Sequence, residues 1–243
     1  MENIKNNNVL IFDWDDTLIN AGPTICDSQF EACKIILAKK EQYPFTKNWL
    51  QPKMHQLQEC IGMRFYDTII PRIFPQIDYD NNLHIMWANN LYDTFKAIYK
   101  NKPKQLFEGV FEKLLELKKT GYTLTIATNK SRELFLYEMF IIKIPENFFE
   151  FIVCGDDPII NGNFKPKPDM INLTQTKFSD AKTFTMIGDS DFDIEAAKKS
   201  TSKCYAVAIN KKGNIQQQAD LYLDSVADIT ESLLENMIRN KNE

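Results

Sequence analysis

The chain has no apolar stretch near the roughly 20 residues that a membrane-spanning helix requires, so a helical membrane protein is not expected. It also lacks an excess of positive charge: 29 Lys and Arg face 33 Asp and Glu, a formal net charge of −4 at pH 7. That balance supplies no bulk attraction to nucleic acid or to an anionic membrane. The pairs Lys39-Lys40, Lys118-Lys119 and Lys211-Lys212 are accordingly read as solvated helix ends or loops. The five cysteines (Cys26, Cys33, Cys60, Cys154, Cys204) form an odd, scattered set with no CxxC pair, which argues against a disulfide framework and against a zinc site. They are read as reduced packing residues. The start, MENIKNNNVL, lacks the apolar core of a signal peptide, so a cytoplasmic location is expected. There is no internal repeat and no long low-complexity tract.

What is present is enough apolar residue, 44% of 243, for one full α/β core with a smaller appended unit. Its most informative segment is Asp13-Trp14-Asp15-Asp16-Thr17-Leu18, directly after the apolar run Val9-Leu10-Ile11-Phe12. Two carboxylates thereby stand at the end of a buried strand, where open α/β sheets bind ligands. Burying like charges together is costly unless a cation, a proton or chemistry compensates. Three later segments repeat the theme. Leu124 to Lys130 is an alternating run ending in Thr128 and Asn129 where a helix begins, a place suited to an anion. Lys165-Pro166-Lys167-Pro168-Asp169 sets a lysine before a proline, which biases it to extended backbone. Met186-Ile187-Gly188-Asp189-Ser190-Asp191-Phe192-Asp193 is again a short apolar strand that ends in carboxylates.

Taken in order, these four segments resemble the motifs of the haloacid dehalogenase-like hydrolases, and among them the phosphoglycolate phosphatase-like group. The resemblance runs over nearly the whole chain: DWDDTL against the family's DxDGT, IATNK for the hydroxyl after a strand, KPKPD for Lys before Pro, and IGDSDFD for GDxxxD. Asp16 departs from the pattern by standing where the family usually has Gly. Asp tolerates left-handed backbone better than most residues, so the turn is still expected to form.

The coarse element pattern agrees with a Rossmann-like, doubly wound parallel sheet carrying an inserted all-helical domain. Helices are expected near 24–40, 46–60, 64–73 and 80–101, with no strand signal between them. Beyond Pro103 the signals alternate: helix 109–120, strand 122–128, helix 131–140, strand 150–154, helix 168–177, strand 184–187 and helix 191–199. Strand 204–209, a short helix 213–218, strand 220–223 and helix 225–240 complete the series. Residues 1–19 and 104–243 are therefore assigned to the α/β core and 20–103 to the helical domain. The resemblance implies that this domain is a cap that closes over the active site, with hinges near 18–22 and 103–108.

The resemblance also assigns roles. Asp13 is the expected nucleophile, forming an aspartyl phosphate. Asp15 is the expected acid and base, protonating the leaving oxygen and then deprotonating water, with its backbone carbonyl as a metal ligand. Asp13, Asp15, Asp189 and Asp193 bring four negative charges against the single charge of Lys165, so a divalent cation is expected, and Mg²⁺ suits hard oxygen donors best. Asp13 and Asp189 are assigned as direct ligands, and Asp193 as a partner of a ligand or as a ligand through water. Asp191 is read as facing away. Thr128 and the amide of Asn129 are expected to hold phosphoryl oxygens, and Lys165 to neutralise them. Lys130 and Lys167 are read as surface lysines.

In the helical domain, Arg64 of Ile61-Gly62-Met63-Arg64 is the candidate for gripping a second anionic group, because β-phosphoglucomutase-like relatives place an arginine in a similar loop. His84, Trp87 and Tyr92 are read as packing residues. The expected function is a Mg²⁺-dependent phosphatase on a small phosphorylated metabolite, phosphoglycolate-like or a sugar phosphate, acting as monomer or homodimer. A phosphomutase and a catalytically silent binding protein on the same fold are the alternatives. A dehalogenase does not require Asp15 and the later carboxylates together.

Overall fold

The computed structural model describes residues 7–38, 54–60, 63–209 and 215–240. Its strands are short and rich in apolar residues, and β3 and β6 form the two edges. β1 (Asn8–Phe12), β2 (Thr123–Thr128), β3 (Phe151–Cys154), β4 (Thr183–Gly188), β5 (Cys204–Ile209) and β6 (Leu221–Leu223) form one sheet in the order β3-β2-β1-β4-β5-β6. Every pairing is parallel, with Leu10 opposite Leu124 on one side and Thr185 on the other. Central strands of a parallel sheet are covered on both faces, which is why Val9 to Phe12 is apolar without alternation and wholly buried. One face packs Val9, Ile11, Ala127, Val153, Met186 and Ala206 into a single cluster with Met170, Ile171 and Ile194 of the flanking helices.

The helices around the sheet are α5 (Val110–Lys119), α6 (Arg132–Ile141), α7 (Asp169–Lys177), α8 (Asp191–Lys199) and α9 (Glu231–Asn240). The strand order reverses between β1 and β4. In open α/β sheets the crevice at the carboxyl ends of two such strands is the ligand position. Asp13 and Asp189 are the residues immediately beyond those two ends.

The chain divides into two compact units, Met1–Asn20 with Gln105–Glu243, and Ala21–Lys104. Within the first unit the stretches that lead out and back lie side by side. Asn20 donates to the Gln105 carbonyl and Phe107 to that of Leu18, and Ile19 bridges Leu106 antiparallel. The second unit is all helical where described: α1 (Gly22–Ala38), α2 (Met54–Glu59), α3 (Ile70–Ile73) and α4 (Asn82–Lys100). Trp87, Leu91, Phe95 and Tyr99 form the buried stripe of α4, which packs along α1. Trp87 meets Phe74 edge-on and Tyr92 stacks on Phe65, as packing residues do, whereas His84 instead accepts the Asp78 amide through Nδ1.

Three expected helices differ. The 64–73 helix opens as a π-turn over Phe65–Ile69, where the Ile69 amide reaches five residues back to the Arg64 carbonyl. Pro71 explains it, since its ring clashes with the carbonyl four residues earlier and it has no N–H to donate. The 225–240 helix is two pieces, because Ser225 and Asp228 close a capping box around Val226–Asp228 and Thr230 starts α9 afresh. Of 213–218, the described residues 215–218 are not helical; the Gln216 and Gln217 amides both donate to Asp191 Oδ1. The first part of the expected 46–60 helix, and the pairs Lys39-Lys40 and Lys211-Lys212, lie outside the described residues.

Candidate active site

The loop after β1 is shaped by its own backbone. The Asp13 amide continues the sheet by donating to the Ile187 carbonyl, and the Leu18 and Ile19 amides both return to the Trp14 carbonyl. Closing so tight a turn puts Asp16 at φ 57°, the left-handed region that Asp tolerates and that Gly usually fills. Thr17, buried in the same turn, donates its hydroxyl to Asp189 Oδ1 at 3.2 Å and so ties the β1 loop to the β4 loop.

Lys165 lies at the centre. Its Nζ donates to Asp13 Oδ1 and to Asp193 Oδ1, both at 2.6 Å, and the residue is 3% exposed. Asp193 has no exposure at all, and its second oxygen accepts the Ser190 amide at 3.1 Å and the Ser190 hydroxyl at 2.6 Å, the capping box that starts α8. Gly188 is required there: a Cβ on it would stand 2.2 Å from the Asp193 Cγ. The Lys165 backbone is clamped from β2, since Asn129 Oδ1 accepts its N–H and Asn129 Nδ2 donates to its carbonyl, each at 2.9 Å. The Asn129 side chain is thus a brace for Lys165, a role the sequence did not suggest. Thr128 is buried beside it and accepts the Lys130 amide at 3.2 Å, which leaves its hydroxyl hydrogen to give.

Lys130 is not the surface lysine expected. Its Nζ sits 2.7 Å from Asp15 Oδ1, and 2.7 and 2.8 Å from the two oxygens of Glu138, a carboxylate on α6 with no exposure. The Asp15 contact is an ion pair. Trp14, fully buried, donates from Nε1 to Glu138 Oε2 at 2.7 Å. Lys167 is exposed in character and bonds Asn163 at 2.8 Å. Asp191, read as facing away, anchors the backbone at 216–217 by accepting both amides on Oδ1.

Burial pushes the Asp13 carboxyl up to about 6, against the pull of Lys165 and with Asp193 adding to the rise. Asp15 is pushed to about 7, again by burial first, with Lys130 opposing and Glu138 reinforcing. Burial alone would lower the Lys165 ammonium, but Asp13 and Asp193 outweigh it and hold it above the ordinary lysine value. Among the described residues, Asp13, Asp189 and Asp193 each offer a carboxylate oxygen within 4.8 Å of the others. The donors are all hard oxygens, and the carboxylates around the site outnumber the ammonium groups of Lys130 and Lys165, so the residues fit a hard divalent cation.

Asp13, Asp15, Thr128, Asn129, Lys165, Asp189 and Asp193 all belong to the first unit, gathered at the carboxyl ends of β1, β2 and β4 and the loop before α7. Arg64 belongs to the second, where its Nη1 pairs with Asp67 Oδ2 at 2.6 Å; Ile61 and Gly62 before it lie outside the described residues. No described helix is long and apolar enough to cross a membrane.

A family model for haloacid dehalogenase-like hydrolases matches residues 10–207. Pyrophosphatase PpaX of Bacillus cereus is 29% identical over 241 residues, covering 96% of this chain and 99% of its own length. Two solved structures share the fold. One is a predicted phosphoglycolate phosphatase from Haemophilus somnus, with TM-score 0.64 and 22% identity over 97% of this chain and 99% of that one. The other is a β-phosphoglucomutase from Clostridium difficile, with TM-score 0.67 and 15% identity over 96% and 97%. On the family-model match, the chain belongs to the haloacid dehalogenase-like hydrolase family.

Proposed function

We propose that the chain is a Mg²⁺-dependent phosphatase that hydrolyses a small phosphomonoester through a phosphorylated Asp13. The observation that carries this reading is the Lys165 ammonium between Asp13 and Asp193, at 2.6 Å from each, with Asp15 two residues beyond Asp13 on the same loop. In the first step an Asp13 oxygen attacks phosphorus and the bond to the leaving oxygen breaks, while Asp15 gives that oxygen its proton. In the second step Asp15 takes a proton from water, which attacks phosphorus and releases Asp13. Lys165 and the Thr128 hydroxyl, with the Asn129 amide, offset the charge on the transferring oxygens. Asp13, Asp189 and the Asp15 carbonyl would hold Mg²⁺, with Asp193 fixing Lys165 beside them. When bound, the ion supplies charge neutralisation and orientation of the phosphoryl group.

Substrate identity belongs to the helical unit, and Arg64 is the residue we assign to a second anionic group. Phosphoglycolate-like and sugar phosphates are the leading substrates, in a cytoplasmic enzyme whose five cysteines are free thiols. Inorganic pyrophosphate is a second reading, favoured by the named activity of the PpaX relative, which matches along nearly all its length. The test is phosphate release from a panel of phosphoglycolate, hexose phosphates and pyrophosphate with Mg²⁺. One ester standing well above the others supports the first reading and pyrophosphate standing above the esters the second; isomerisation of β-glucose 1-phosphate without release would replace both with a mutase.

A further inference from the structure

Around Trp14 and Asp15 the side chains close a ring. The Trp14 indole donates to Glu138 Oε2 at 2.7 Å, Glu138 takes Lys130 Nζ on both oxygens at 2.7 and 2.8 Å, and Lys130 Nζ reaches Asp15 Oδ1 at 2.7 Å. The peptide bond between Trp14 and Asp15 completes it. The indole is itself held edge-on by Phe135 of α6 at 4.7 Å and by Phe149 at 6.4 Å.

Stability does not account for this arrangement. A buried ion pair gains little over well-packed apolar side chains of the same volume, and often nothing, because both charges lose their water. Glu138 occupies a place on the buried stripe of α6 with Leu134, Phe135 and Met139, where an apolar residue would pack without that loss. What a carboxylate provides there is direction. Two oxygens on one ammonium fix where Lys130 points, and the indole fixes where the carboxylate points.

We infer that Glu138 is a positioning residue for phosphoryl transfer: anchored by Trp14, it aims the Lys130 ammonium at Asp15 and so sets the direction in which the Asp15 carboxyl faces the leaving oxygen. This rests on the phosphatase reading and goes beyond it, since Glu138 reaches Asp15 through Lys130 and has no role in that reading.

The test uses the leaving group. Nitrophenolate departs without a proton, whereas an alkyl alcohol needs one, so a misdirected Asp15 harms the alkyl ester selectively. For Glu138→Gln we expect kcat/KM on a hexose phosphate or phosphoglycolate, whichever the wild type prefers, to fall about 100-fold, the size of loss that misplacement of a reacting group brings. On p-nitrophenyl phosphate the same variant should lose less than about 5-fold, since no acid is needed there. Equal losses on both esters, or no loss on either, would overturn the inference. If Glu138→Gln does not fold, Trp14→Phe, which keeps the ring packing and removes only the indole donor, must show the same selectivity with a smaller loss; an unselective change there overturns it too. A wild type silent on both esters would instead overturn the phosphatase reading and this inference with it, so the two failures are distinct.

Discussion

Gly188→Ala is a change of one methyl group that the structure forbids at a particular place. The new Cβ would stand 2.2 Å from Asp193 Cγ, 2.3 Å from its Oδ2 and 2.5 Å from its Cβ, where contacts below 3.0 Å are essentially never seen. Asp193 must therefore withdraw by about 0.8 Å or more. It is held from opposite sides, by Lys165 on one oxygen and by the Ser190 amide and hydroxyl on the other, so the shift breaks at least one of those bonds. Overpacking of this kind costs about 1–3 kcal/mol and losing a helix cap about 1 kcal/mol, so the expected destabilisation is about 2–4 kcal/mol. Urea denaturation of the chelator-treated protein, read as a fall in midpoint at unchanged slope, measures it. A loss below about 0.5 kcal/mol, the range of an ordinary surface change, would mean that Asp193 is not held rigidly against Gly188.

Three further outcomes are expected. Arg64→Ala should harm phosphoglycolate and other doubly anionic substrates far more than a phosphate ester with no second charge, and equal losses in a steady-state comparison would remove Arg64 from the substrate site. Asn129→Leu should cut kcat strongly while leaving the protein folded by circular dichroism, because it releases the Lys165 backbone from both of its 2.9 Å bonds; unchanged kcat would contradict the brace. Asp157 lies below the ordinary carboxylate value of 3.8, because hydrogen bonds from Arg132 and the Cys154 amide outweigh the upward push of burial. A depressed native pKa gives stability that is fully present above the unfolded value and is lost as pH falls through the native one. Asp157→Asn should therefore flatten the acid limb of a thermal-stability profile below about pH 4, and an unchanged limb would reject this linkage.

Much of this was legible in the residues because burial and periodicity agree. Val9 to Phe12 and Met186-Ile187 read as strands since central parallel strands need apolar residues on both faces, and the carboxylates follow the strand ends where the topology turns. Asp16 stood out for the same local reason that its φ is positive. Lys130 was misread because a lysine beside a turn is ordinarily solvated, and its partner lies eight residues away on the next helix. One signal did point to it: Glu138 falls on the α6 stripe with Leu134, Phe135 and Met139, and an acidic residue on an apolar stripe needs a buried cation. The Asn129 clamp gave no such signal, since it joins residues 36 apart through a backbone that only the fold brings near. The broken 225–240 helix was readable from the Ser225 to Asp228 capping spacing, which helical periodicity overrode.

The most direct test of the central claim is phosphate release by the wild type and by Asp13→Asn, each with Mg²⁺ and with a chelator. The wild type should release phosphate in a reaction that stops on chelation and returns with Mg²⁺, and Asp13→Asn should release none despite a native fold. Release that persists with the chelator, or that survives Asp13→Asn, would contradict the claim.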